Sequence, residues 1–179
     1  MIDQFRKFIY QIEINTIASS MGSHSDEVKR FFSHFSKKYP EYFSQYLKSD
    51  VNSSYVPTEK ENVIDGLADS MIAAIKLFSP ENYQKTLIVF IVTQQDRNEF
   101  DQRAIENQLY EKAYINFKFT FSNVYVRRFT LNEILEVAKY DENMNIIIEN
   151  KIVSLFYFRA AYSEEHFVDE VKLFFKFLG

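Results

Sequence analysis

Apolar residues change their spacing along the chain, and each change marks a different element. Residues 8–16 alternate as a β-strand does, so Glu13 and Asn15, two apart, project from one face. After a small polar stretch, Ser23 and Asp26 read as the capped start of a helix running to about residue 39, with Val28, Phe31, Phe32 and Phe35 at helical spacing on its core face. Residues 40–57 lose any period and fill with Ser, Asn, Tyr and Asp, the composition of a surface loop or a short irregular helix. Thr58 and Glu61 then form a second capping pair ahead of Val63, Ile64, Leu67, Met71, Ile72 and Ile75.

Residues 86–92 (TLIVFIV) are an unbroken β-branched and aromatic run, which predicts a central strand buried on both faces. A polar turn follows, and Phe100, Ala104, Ile105, Leu109 and Ala113 then mark an amphipathic helix, so strand, turn and helix make half a βαβ unit. Residues 114–121 alternate as a further strand, 131–138 read as a short helix, and 146–158 as two strands around Glu149 and Asn150. A last helix over 163–178 opens with acidic residues and carries Lys172 and Lys176 near its end, matching the helix dipole. The pattern predicts an α/β fold of three layers, a mainly parallel sheet with helices on both faces.

Composition narrows the functions this fold can serve. The 179 residues are 46% hydrophobic and 17% aromatic, enough for a core rich in flat rings. Acids and bases are interspersed at a net charge of −4, with no basic block to line phosphates, which argues against nucleic acid. The run over 87–92 is far short of the roughly 20 residues a membrane crossing requires, so no membrane partner is expected. The absence of cysteine excludes disulfides, thiolate metal sites and a Cys nucleophile, and fits a cytoplasmic setting. Three glycines leave little material for a phosphate-cradling loop, and His24, His34 and His166 lack metal-ligand spacing.

Polar residues gather where the predicted strands end. Glu13 and Asn15 offer two hard oxygen ligands suited to magnesium, or are solvent-facing strand residues. Arg97, Asn98 and Gln102 supply donors for carboxylate and peptide recognition, or cap a helix; Asp96 sits with them at the free end of the buried strand. Arg159 follows an apolar strand, where it meets a substrate carboxylate or closes the sheet edge with a charge. Tyr39, Tyr42, Tyr46 and Tyr55 form a partner surface or packed rings.

Three motifs carry a resemblance. Residues 11–17 (QIEINTI), 97–109 (RNEFDQRAIENQL) and 157–159 (YFR) resemble, in order and spacing, the substrate-side motifs of eukaryotic-type glutathione synthetases, and the likeness spans residues 10–162. That resemblance implies the substrate-binding domain of an ATP-grasp ligase, which joins γ-glutamylcysteine to glycine to give glutathione using ATP and Mg2+. It implies magnesium ligation by Glu13 and Asn15, with Glu13 also near ATP. It further implies dipeptide contacts from Ile17, Ala18, Ser19 and Ser20, from Asp96, Arg97, Asn98 and Gln102, and from Arg159, Ala160, Ala161 and Tyr162.

On that reading residues 1–57 are an N-terminal segment with the Glu/Asn strand and a helix, and 58–179 the substrate-binding domain. The sequence departs from the family where Ala160 and Ala161 replace an Asp-Gly pair and Ala18 replaces a serine. The family's ATP-binding lysines, glycine-rich lid and third magnesium carboxylate lie beyond the matched region, so the chain alone is expected to have no ligase activity. The alternative is a non-catalytic module binding dipeptide or glutathione, or pairing as a homodimer or with a full-length synthetase subunit.

Overall fold

The unbroken apolar run becomes strand β1 (Leu87–Ile91), in which every residue is wholly buried. The computed structural model describes residues 14, 20–42, 62–78, 86–117, 125–163 and 166, without the side chains of 113–117. The strand expected over 8–16, most of the loop over 40–57, the Thr58 and Glu61 pair and the final helix over 163–178 therefore lie, apart from a few positions, outside the described residues.

Strands β2 (Tyr125–Phe129) and β5 (Lys151–Phe158) flank β1, both parallel to it. Strand β4 (Ile146–Ile148) pairs antiparallel with β5, and the two-residue β3 (Lys139–Tyr140) pairs antiparallel with β4. The order is β2-β1-β5-β4-β3. The five-stranded sheet is thus mixed, which corrects the expectation of a mainly parallel one. Glu149 and Asn150 explain it: their φ values of 51° and 60° make the left-handed two-residue turn that folds β5 straight back on β4.

Four helices are described from end to end, α1 (Gly22–Lys38), α2 (Val63–Phe78), α3 (Glu99–Phe117) and α4 (Leu131–Val137), and residues 40–42 are also helical. Residues 114–117 belong to the end of α3, which corrects the strand expected to begin there; the strand that follows lies at 125–129. Thr130 starts α4 with a capping box, its hydroxyl accepting from the Glu133 amide while the Glu133 carboxylate accepts from the Thr130 amide.

Strand alternation distributes the core between two layers. Ile88, Phe90 and Val92 pack against Met71, Ile72 and Ile75 of α2 and Ile105 and Leu109 of α3. Leu87, Val89 and Ile91 pack instead with Leu131 and Ile134 of α4 and with Ile146, Ile148, Val153 and Ala160. Helices therefore cover both faces, as the pattern predicts. Each fully buried Leu, Ile or Phe contributes about 1.5–3 kcal/mol of transfer free energy. Polar bonds also tie α2 to α3, from Gln108 to Asp65 at 2.7 Å and from Lys112 to Asp69 at 2.6 Å.

Helix α1 departs from its pattern. Its expected core residues Val28, Phe31 and Phe32 are 52%, 59% and 48% exposed, while the buried positions are Gly22, Ser23 and Asp26 in its first turns. The helix docks by its N-terminal end. Nor do Ser23 and Asp26 form a capping box: Met21 precedes the helix in a left-handed conformation, φ 68°, with no side-chain cap. Asp26 accepts instead from the backbone amides of Val63 and Ile64, at 3.1 and 3.2 Å, so it caps α2 from outside.

Candidate functional site

The chain leaves β1 through a polar turn and enters α3 at Glu99, which places Asp96, Arg97 and Asn98 at the carboxyl end of the central strand. Asp96 holds the turn by accepting from the Asn98 amide at 2.7 Å. Gln102, one turn into α3, is wholly buried. Its amide nitrogen donates to Asp96 and its carbonyl oxygen accepts from the Arg128 guanidinium of β2, so a continuous bond chain fixes the side chain's orientation.

The neighbouring Asp101 is the hub. Its carboxylate, wholly buried, accepts from the Ser23 hydroxyl at 2.7 Å, the Ser23 amide at 2.8 Å, the Met21 amide at 3.1 Å and the Arg159 guanidinium at 2.8 Å. It thereby supplies the acceptor that the free N–H groups of α1 need and the counter-charge that Arg159, 4% exposed, needs. Burial on its own would raise the Asp101 pKa. The bonds from Ser23 and the charge of Arg159 outweigh it and hold the carboxyl below the ordinary carboxylate range.

Arg159 follows β5, and its amide donates to the carbonyl of Ile91, the last residue of β1, at 2.8 Å, extending the ladder one residue past β5. Strand β4 lies beside β5 only at Lys151 and Ile152, so Arg159 stands at the far end of the strand with β1 as its described neighbour. The carboxylate it meets is that of Asp101. Burial pushes the nearby Tyr157 phenol up, with Arg159 acting against it. Of the remaining candidates, Arg97, Ser20 and Tyr162 are exposed, Asn98 is half-buried and Ala160 is buried. Ala161 takes a left-handed backbone, φ 68°. Its amide donates to His166 Nδ1 at 3.2 Å, and the His166 ring stands edge-on to Tyr162.

Arg159 at the end of β5 thus meets Asp101, which lies between Asp96 and Gln102 in the middle motif. The segment just after Ser20 joins them through Met21 and Ser23. Glu13, Asn15, Ile17, Ala18 and Ser19 lie outside the described residues. Among the described residues no group of His, Asp and Glu is arranged to hold a metal, and no helix is long and apolar enough to cross a membrane.

Sequence reasoning missed Asp101 as a participant although it lies within the quoted middle motif, and it missed Arg128. The visible signal for the latter was a pair of arginines inside an otherwise apolar segment, YVRRF. It also missed a cavity of about 300 Å3 at the strand ends, walled by Thr93 and Gln94 after β1, Thr130 and Asn132 at the start of α4, and Ala160 and His166 after β5.

Comparison with known proteins gives a consistent result. The family model for eukaryotic glutathione synthase matches residues 86–176. The chain is 30% identical over 164 residues to glutathione synthetase of Dictyostelium discoideum, covering 87% of this chain and 29% of that protein. It is 28% identical to the Homo sapiens enzyme over 152 residues, covering 85% of this chain and 27% of that one. To the chloroplastic glutathione synthetase of Solanum lycopersicum it is 25% identical, over 95% of this chain and 28% of that one. The chain spans less than a third of the length of these relatives. Its fold is similar to that of a glutathione synthetase-like effector from Globodera pallida solved in the apo form, with a TM-score of 0.63 at 17% identity, covering 85% of this chain and 32% of that one.

Proposed function

The chain belongs to the eukaryotic glutathione synthase family, and from that premise we propose that it forms the dipeptide-binding part of a glutathione synthetase site, the substrate-binding region of an ATP-grasp ligase. The observation that carries this reading is the Asp101 hub, which draws the end of β5, the start of α3 and the segment following Ser20 to one point. In this reading Arg97, Asn98 and Tyr162, which are accessible, contact γ-glutamylcysteine together with Ile17, Ala18, Ser19 and Ser20. Asp96, Gln102 and Arg159 are already bonded within the protein and fix the shape of the site.

Glu13 and Asn15 are the proposed holders of Mg2+, with Glu13 beside ATP. The metal would screen the phosphate charge while the dipeptide carboxylate is activated for attack by glycine. The role of this chain is to bind and orient the dipeptide, and phosphoryl transfer needs an ATP-grasp lobe in addition. A second reading, a non-catalytic module for dipeptide or glutathione or for pairing with another synthetase subunit, is favoured by the exposed Phe31 and Phe32 on α1.

Thermal unfolding of the chain with γ-glutamylcysteine, glutathione or Mg-ATP tests the proposal, since a ligand bound only by the folded state raises Tm. A rise with γ-glutamylcysteine that Arg97→Ala removes is the expected result. No rise with either peptide would overturn dipeptide binding in both readings.

A further inference from the structure

Arg128 of β2 pairs with Phe90 of β1 and shares its side of the sheet with Val126, the side that α3 covers. The guanidinium is poorly served there. Its side chain is 14% exposed, and Nη1 is buried with no hydrogen-bond partner among the described residues. Glu99 and Glu106 stand 3.9 and 4.0 Å away, while Arg103 holds the same two carboxylates at 3.1 and 3.0 Å. Burial, and then the charge of Arg103, pull the Arg128 pKa below its ordinary value. An apolar side chain in this place would serve stability as well.

What the guanidinium does accomplish is to orient Gln102. An arginine has donors and no acceptor, so the Gln102 carboxamide turns its oxygen to Arg128 and its nitrogen to Asp96. The reverse orientation would set N–H groups against the guanidinium and the amide oxygen against a carboxylate. Asp96, with Oδ2 held by Gln102, accepts from the Asn98 amide with Oδ1 at 2.7 Å. Orientation thus passes from β2 through the first turns of α3 to the turn that carries the exposed Arg97.

We infer that Arg128 is a positioning residue for γ-glutamylcysteine binding: without touching the ligand, it sets through Gln102 and Asp96 how Arg97 and Asn98 are presented. This role rests on the dipeptide reading of that turn and names the residue that holds it in shape.

Titration of the 15N-labelled 179-residue chain with γ-glutamylcysteine, followed by amide chemical shifts, tests it. Arg128→Met should weaken binding roughly tenfold, the effect of misplaced binding groups. It should also move the Asn98 backbone and Gln102 side-chain amide signals while those of β4 stay where they are. Gln102→Met should weaken binding as much, and the double variant should lose no more than either alone, since one residue acts through the other. Arg128→Lys, which keeps a charged donor, should recover most of the affinity. Unchanged affinity or unmoved Asn98 and Gln102 signals in Arg128→Met, additive losses in the double variant, or loss of the native spectrum on Arg128→Met alone would each overturn the inference. No binding by the parent chain would instead overturn the dipeptide reading, and this role with it.

Discussion

Asp101 and Arg159, 58 residues apart in sequence, form a 2.8 Å ion pair in which neither side chain is more than 2% exposed. Such a pair contributes little over an apolar replacement, but losing one member strands the other charge away from water. Asp101→Ala should therefore cost about 3–5 kcal/mol. The double variant Asp101→Leu with Arg159→Met should be markedly more stable than Asp101→Ala, as urea denaturation of all the variants will measure.

Acid should act through the same residue. The Asp101 carboxyl sits below the ordinary range in the folded protein, so its contribution is present above the unfolded carboxylate value of about 3.9 and is lost as pH falls through the lower folded value. Unfolding midpoints measured from neutral pH downward should drop through that window. Asp101→Asn should flatten that part of the curve.

Asp26→Ala should uncap α2 from a distance. Removing the acceptor for the Val63 amide, while Ile64 keeps the Asn62 Oδ1 at 3.1 Å, costs about 1 kcal/mol. Hydrogen exchange at the Val63 amide should speed up while the amides of β1 keep their protection.

Ala161 sits at φ 68°, where a Cβ is unfavourable, at the position where the family motif carries glycine. Ala161→Gly relieves about 1–2 kcal/mol of left-handed strain, less about 0.5–1 kcal/mol of added chain entropy. A rise in stability of at most about 1.5 kcal/mol, read from thermal unfolding, is the expected outcome.

In the core, Leu109→Ala leaves a cavity between β1 and α3 and should cost about 2–5 kcal/mol. Phe31→Ala on the exposed face of α1 should change stability by less than about 0.5 kcal/mol. Equal losses in the two variants would mean that α1 is covered in solution.

The parts of the fold that the sequence made legible are those whose pattern has one reading. Residues 87–91 are apolar throughout because both sides of β1 are covered, and Glu149 with Asn150 announced a tight turn. The alternation over 114–121 misled because aromatic and polar residues alternate there while α3 carries the chain on to Phe117. Strand β2 was hidden by Arg127 and Arg128, tolerable at a sheet edge where the first pairs with Glu149 and the second reaches Gln102. The Asp101 hub was illegible because Ser23 and Asp26 have the local spacing of a capping box, and nothing local reveals that both are committed to distant partners.

The two ends of the sheet carry a consequence for behaviour in concentrated solution. A free strand edge is a template on which a second chain can add, the first step toward fibrils. Among the described residues the outermost strand on one side is the two-residue β3, Lys139 and Tyr140, too short by itself to nucleate a ladder. On the other, β2 places Arg127 and Arg128 along its length, and an incoming copy of the same strand would bring like charges together. Replacing those arginines with valine would make the segment a better strand and the protein a worse solute.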